Sequence, residues 1–205
     1  MLKRNVKFIL FALGLFFSFS FAANASSVNG LFHHAGDPVA GNPNGKITIV
    51  EFFDYQCSHC VSMARVINSI IKANPDVRVV FKDFPIRGPV SEFAARAAIA
   101  ANKQGKYYEF SHGLLATTLS LTDDTVLDIA KNTGLDINRL KKDMNGSAVN
   151  SEIKSTYSLA QDFKITGTPA FFIGKTNAKN SDSVNFVLGE MSQGELQDAI
   201  DKAKS

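Results

Sequence analysis

Cysteine is almost missing from this chain: two among 205 residues, Cys57 and Cys60. A pair three positions apart closes too small a loop to restrain the unfolded chain, so a disulfide-stapled scaffold is excluded. Histidine is scarce too, at four. A zinc site wants a second cysteine pair or two histidines at set spacing, and only His33 and His34, well upstream, could join the cysteines. His112 stands alone and reads as a packing or surface residue. Basic clusters are missing as well. Lys3, Arg4 and Lys7 carry the whole positive excess, and without residues 1–25 the formal net charge is zero. A neutral chain without basic patches argues against nucleic acid as a partner. There are no internal repeats and no low-complexity tracts.

The first residues read as an address. A basic start is followed by an apolar run over residues 8–21 (FILFALGLFFSFSF), shorter than the roughly 20 residues that span a bilayer. Ala23-Asn24-Ala25 then offers the small-x-small pattern of a signal-peptidase site. Residues 1–25 are expected to be a cleaved signal peptide, with no cysteine nearby to accept a lipid. Export places the chain in the periplasm, where disulfides persist. Residues 26–45 (SSVNGLFHHAGDPVAGNPNG) are rich in Gly, Asn, Ser and Pro, and are expected to be an extended leader.

Hydrophobic periodicity sets out the rest. Residues 46–54 (KITIVEFFD) are apolar on both faces, as in a central strand. Met63, Val66, Ile67, Ile70 and Ile71 mark one face of a helix that ends at Asn74-Pro75. Residues 77–84 (VRVVFKDF) form a second strand, and strand, helix, strand at this spacing is a βαβ unit. From 90 to 163 the pattern is helical throughout, with a stripe of Val149, Ile153, Tyr157 and Ala160 on its last segment. Strands return at 170–173 (AFFI) and 184–188 (VNFVL). A final helix follows, opened by the Ser192/Glu195 capping-box pattern. The fold class is α/β, interrupted by a helical insertion.

Cys57-Ser58-His59-Cys60 sits where the first long strand turns into its helix. Free amides and the positive helix end favour a thiolate at Cys57, and His59 would add to that effect. Cys60 lies one turn deeper on the same face. An exposed acidic sulfur beside a shielded one is the arrangement a dithiol-disulfide exchanger needs.

These residues resemble a known family. EFFDYQCSHC, the helical insertion and GTPAFFIG together look like a DsbA-type thiol-disulfide oxidoreductase, a thioredoxin fold with an inserted helical domain. The likeness covers nearly the whole mature chain. It implies a thioredoxin-like domain from residues 46–89 and 164–205, with the insertion at 90–163. It also implies a cis bond between Thr168 and Pro169, opposite the cysteines, that presents the Thr168 backbone to an extended substrate. Glu51 matches the family's buried acid, a proton acceptor for Cys60, and Lys82 matches the basic residue that pairs with that acid. No cofactor is implied beyond a Cys57–Cys60 redox disulfide, and no metal.

The implied partners are exported unfolded polypeptides with free thiols and a DsbB-like membrane reoxidant. About twenty residues precede the first strand, too few for the dimerisation domain of isomerases of this type, so a monomer is expected. Two departures bear on the direction of electron flow. Ser58 stands where the best-known oxidants have proline, and Thr168 is also the choice of isomerase and reductase branches. An isomerase or reductase is therefore the alternative. A reading of another class is a non-catalytic chaperone using an apolar groove around Phe53, Tyr55, Val61 and Phe171, or a copper-handling protein using the cysteine pair.

Overall fold

The computed structural model describes residues 25–205. The apolar run expected as a signal peptide lies outside them. Among the described residues, no helix is long and apolar enough to cross a membrane.

The centre of the molecule is β2 (Ile47–Phe53), buried at all seven positions. It runs parallel to β3 (Val77–Asp83) on one side and antiparallel to β4 (Ala170–Lys175) on the other. β1 (Val39–Gly41) and β5 (Val184–Leu188) close the two edges, giving the order β1-β3-β2-β4-β5. A strand covered on both faces needs apolar residues at every position, which accounts for the unbroken run at the start of the domain. The crossover from β2 to β3 is α2 (Ser58–Ala73), which packs Cys60, Met63, Ile67 and Ile70 inward. Between β3 and β4 run five helices: α3 (Pro89–Asn102), α4 (Tyr107–Ala116), α5 (Asp123–Asn132), α6 (Ile137–Met144) and α7 (Ser147–Asp162). α8 (Gln193–Lys204) closes the chain, and its capping box joins Ser192 and Glu195 as the spacing predicts.

Two cores flank the sheet. One joins Ile49, Phe53, Phe81 and Phe171 to α2, α8 and the alanine-rich face of α3. The other packs Val50, Phe52, Val80 and Phe172 under Leu31, Phe32, Leu159 and Ala160. The fold is α/β, of thioredoxin type, with the helical block inserted between the second and third long strands.

Two expectations change. The stretch read as an extended leader is a helix, α1 (Ala25–His33), followed by the edge strand β1. Val28, Leu31 and Phe32 fall at i, i+3 and i+4 and are almost fully buried. Burial of that face on the sheet stabilises a helix whose Ser, Asn and Gly content is unfavourable in isolation. On α7, Tyr157 stands half exposed, while Glu152 and Thr156 turn inward. Val149 and Ala160 of the expected stripe are buried as the spacing predicts, and the polar pair joins them in the interior.

Candidate functional site: the cysteine pair at the head of the second helix

Cys57 is the N-cap residue of α2, with extended backbone, and Cys60 follows at the third helical position. Both are free thiols. The structure corrects one point at once: Cys57 is as covered as Cys60, each at 0% exposure, while Ser58 and His59 between them are exposed. The cover over Cys57 is the loop before β4. The Thr168–Pro169 peptide is cis, and the Cys57 thiol donates to the Thr168 carbonyl at 3.3 Å.

The two sulfurs differ electrostatically. Burial works against a Cys57 thiolate, but the Thr168 side chain, the Cys60 thiol and amide, and the charge of Arg87 outweigh it and hold the thiol below its ordinary range. The Thr168 hydroxyl is buried and makes no hydrogen bond, so it is available to donate to a thiolate. At Cys60 burial dominates, reinforced by Cys57 and by the carboxyl of Glu51, and pushes that thiol well above the ordinary range. One sulfur is thus ready to be a thiolate and a leaving group, and the other holds its proton.

Glu51 projects from β2 on the cysteine side of the sheet. Burial, then the charges of Cys57 and Asp83, raise its carboxyl to about 8. It borders a cavity of about 20 Å³ shared with Ser111, His112 and Tyr108, room for one water molecule. His112 is therefore a half-buried neighbour of Glu51 across this cavity.

Lys82 does not meet Glu51. In the parallel register Glu51 lies beside Phe81, and Lys82 beside Phe52. Alternate residues of a strand face opposite ways, so Lys82 stands on the far face. There its ammonium, fully buried, donates to Asp37 and to the Gly30 carbonyl. His59 is 65% exposed at its side chain, and its Nδ1 meets Glu190 Oε2 at 2.7 Å. The imidazole faces the loop before α8.

Four contributors were missed from the sequence. Asp54 ties the site together: its carboxylate accepts from the Gln56 amide and the Ser91 hydroxyl at 2.7 Å, and from the amides of Ile86 and Arg87. That clamp holds the 84–88 loop, and with it the Arg87 charge, beside Cys57. Asp83 accepts from the hydroxyls of Tyr55 and Tyr107, both at 2.8 Å, and burial raises its carboxyl to about 7 despite those bonds. Glu190 holds His59. An acid ending each of two buried strands, Asp54 and Asp83, was the visible signal. Nothing local marks Arg87 or Glu190.

An open groove of about 340 Å³ runs beside the motif, lined by Tyr55, Val61, Leu114, Leu119 and Leu121 among others. Leu119 is 65% exposed there. The larger cavity, about 720 Å³, lies at the opposite end of β2 around Lys46, Lys175 and Lys179 and takes no part in this site.

A buried dithiol at a helix head, facing a cis-proline loop over a buried acid, defines a thioredoxin-type exchange centre. Comparison with known proteins places the chain within that class. Residues 48–201 match the DSBA-like thioredoxin domain, and the chain belongs to that family. It is similar to a thioredoxin-like oxidoreductase from Silicibacter pomeroyi DSS-3, with a TM-score of 0.79 and 39% identity, covering 86% of this chain and 96% of that one. It is also similar to the thiol-disulfide exchange protein alpha-DsbA2 from Wolbachia pipientis, with a TM-score of 0.75 and 27% identity, covering 87% and 94%. Among curated relatives, it is 28% identical over 139 residues to the Na(+)/H(+) antiporter NhaA 3 of Salinispora tropica. That match takes in 67% of this chain but 21% of the antiporter, so the chain spans about a fifth of that relative's length.

Proposed function

We propose that this protein oxidises thiols in exported polypeptides through a Cys57–Cys60 disulfide, working in the periplasm after cleavage of residues 1–25. The observation that carries the reading is the asymmetry of the sulfurs, Cys57 held below the ordinary thiol range and Cys60 pushed above it. Lowering the thiol of Cys57 stabilises the reduced protein and makes its disulfide a better oxidant.

A substrate thiolate attacks Cys57 Sγ, forming a mixed disulfide, and Cys60 leaves with the electron pair of the broken bond. Glu51, whose carboxyl is raised to about 8, holds a proton at neutral pH and supplies it to Cys60, directly or through a water molecule. A second substrate thiolate attacks the substrate sulfur, and Cys57 departs as a stabilised thiolate. Two electrons pass from the substrate dithiol to the cysteine pair. The groove beside Tyr55 and Val61 would seat apolar stretches of an unfolded chain, and the Thr168 backbone would pair with it as an added strand. A membrane reoxidant resembling DsbB would reset the disulfide, and the protein would act as a monomer.

The test is oxidation of a dithiol peptide by the oxidised protein, in the presence of chelator. Oxidation lost in Cys57→Ala and in Cys60→Ala, neither of which can form the Cys57–Cys60 disulfide, is the expected result, with a mixed disulfide forming when reduced Cys60→Ala is given a disulfide-bonded peptide instead. A parent protein that reduces or reshuffles peptide disulfides but does not oxidise dithiols would shift the assignment to a reductase or isomerase.

A further inference from the structure

On the sheet face away from the cysteines, beneath the α1–β1 connection, three side chains converge that thiol exchange does not use. His34 Nδ1 lies 3.0 Å from Glu152 Oε2 and 3.7 Å from Asp37 Oδ1. One ligand atom from each of the three falls within 4.8 Å of the others. Asp37 and Glu152 are 8% and 5% exposed, and Asp37 Oδ2 and Glu152 Oε1 are buried with no hydrogen-bond partner. An orphaned oxygen in a dry interior costs about 1–3 kcal/mol.

Lys82 answers Asp37 and is spent there and on the Gly30 carbonyl. The second buried carboxylate, Glu152, is left with His34. The Gly36 amide is directed at the same Nδ1, at 3.4 Å. A neutral imidazole there gives Glu152 no cation, since histidine is charged only when both ring nitrogens carry hydrogen. Gly36 itself makes the approach possible, because any Cβ there would collide with the Glu152 carboxylate. The three residues come from the α1–β1 connection and from α7, and the spacing suits an ion. Four ligands at about 2.0–2.1 Å in a tetrahedron stand roughly 3.3–3.4 Å apart, and His34 Nδ1 lies 3.0 Å from Glu152 Oε2, near that edge, while Asp37 Oδ1 is held by Lys82 and leaves Oδ2 for the ion.

We propose that His34 Nδ1 and one oxygen each of Asp37 and Glu152 form a site for a divalent ion of the zinc class. Imidazole with carboxylate is a donor set that zinc accepts. The half-exposed ring of His34 provides the entry, and water completes the coordination. Bound there, the ion ties the N-terminal helix to the helical block and supplies the cation that Glu152 lacks. The site is separate from the cysteines by a full sheet.

The test removes the thiols first, because they bind zinc on their own. The Cys57→Ser/Cys60→Ser protein is titrated with Zn²⁺ against a chromophoric chelator. One ion per chain is expected, with affinity falling at least about tenfold in His34→Ala and in Glu152→Gln made on that background, by analogy with losses seen for metal-site neighbours. His34 is half exposed, so its replacement leaves the fold readable by circular dichroism even if the buried Glu152 variant does not fold. Failure of the thiol-free protein to take up zinc, or equal affinity in His34→Ala, overturns the proposal.

Discussion

Thr168→Val is the sharpest probe of how the Cys57 thiolate is held. Valine keeps the shape of threonine and removes only the hydroxyl, which is buried, unpartnered and beside both sulfurs. A hydrogen bond to a charged group contributes about 1.5–3 kcal/mol, and sulfur is a weak acceptor, so the lower end applies. About 1.4 kcal/mol is one pKa unit and about 30 mV for a two-electron couple. The variant should therefore titrate about one unit higher at Cys57 and be the weaker oxidant.

The pH dependence makes the expectation specific. Well below the parent's Cys57 pKa both reduced proteins are dithiols, and their potentials coincide. Between the parent and variant values only the parent gains from ionising, and the curves separate. Above the variant's value the gap is constant at about 30 mV per unit, the variant being more reducing. Glutathione redox titrations across pH, run beside thiolate absorbance, give both quantities for both proteins. A pKa that rises with no gap opening in the potentials would refute the link between thiolate stabilisation and oxidising power. Equal pKa values would remove the Thr168 hydroxyl from the account.

Three further outcomes are expected. In Glu51→Gln the folded protein gains stability that is absent below about pH 4.5, grows as pH rises, and levels off above about 8, because the parent's folded carboxyl is raised from 4.5 to about 8 and charging it opposes folding; chemical denaturation at pH 4 and pH 9 measures the difference. His59→Ser should move the potential by less than Thr168→Val does, since the ring is held 2.7 Å from Glu190; a glutathione titration showing a larger fall would mean that the imidazole reaches Cys57. Lys82→Met should cost about 1–3 kcal/mol in urea denaturation by leaving Asp37 and the Gly30 carbonyl without their donor, and leave the Cys57 titration unchanged; a shifted Cys57 titration would mean that Lys82 acts across the sheet.

Much of this architecture was legible because its signals are strong and local. β2 is covered on both faces and reads as a continuous apolar run. The block between β3 and β4 is helical as its pattern predicts, and α8 begins at Ser192, where its capping box places it. The cysteine pair and the Thr-Pro loop stand out for the same reason, each being a short motif with one structural context. α1 was hidden because its helix depends on burial against Val50, Val80 and Phe172, which are distant in sequence. Val28, Leu31 and Phe32 carry the signal, but the Ser, Asn and Gly around them dilute it.

What stayed illegible is the pairing of buried charges, and the reason is geometric. Glu51 and Lys82 lie in adjacent strands, so composition invites a salt bridge, but one step of register decides which face each occupies. The observed register sets Glu51 against Phe81 and turns Lys82 away, to an aspartate 45 residues upstream. The consequence reaches the chemistry. Burial, with no cation beside it, raises the Glu51 carboxyl to about 8, and an acid that keeps its proton at neutral pH can give one to Cys60. The sheet thus separates two buried acids by function: Glu51 on the sulfur side left without a cation, Asp37 on the other side given one.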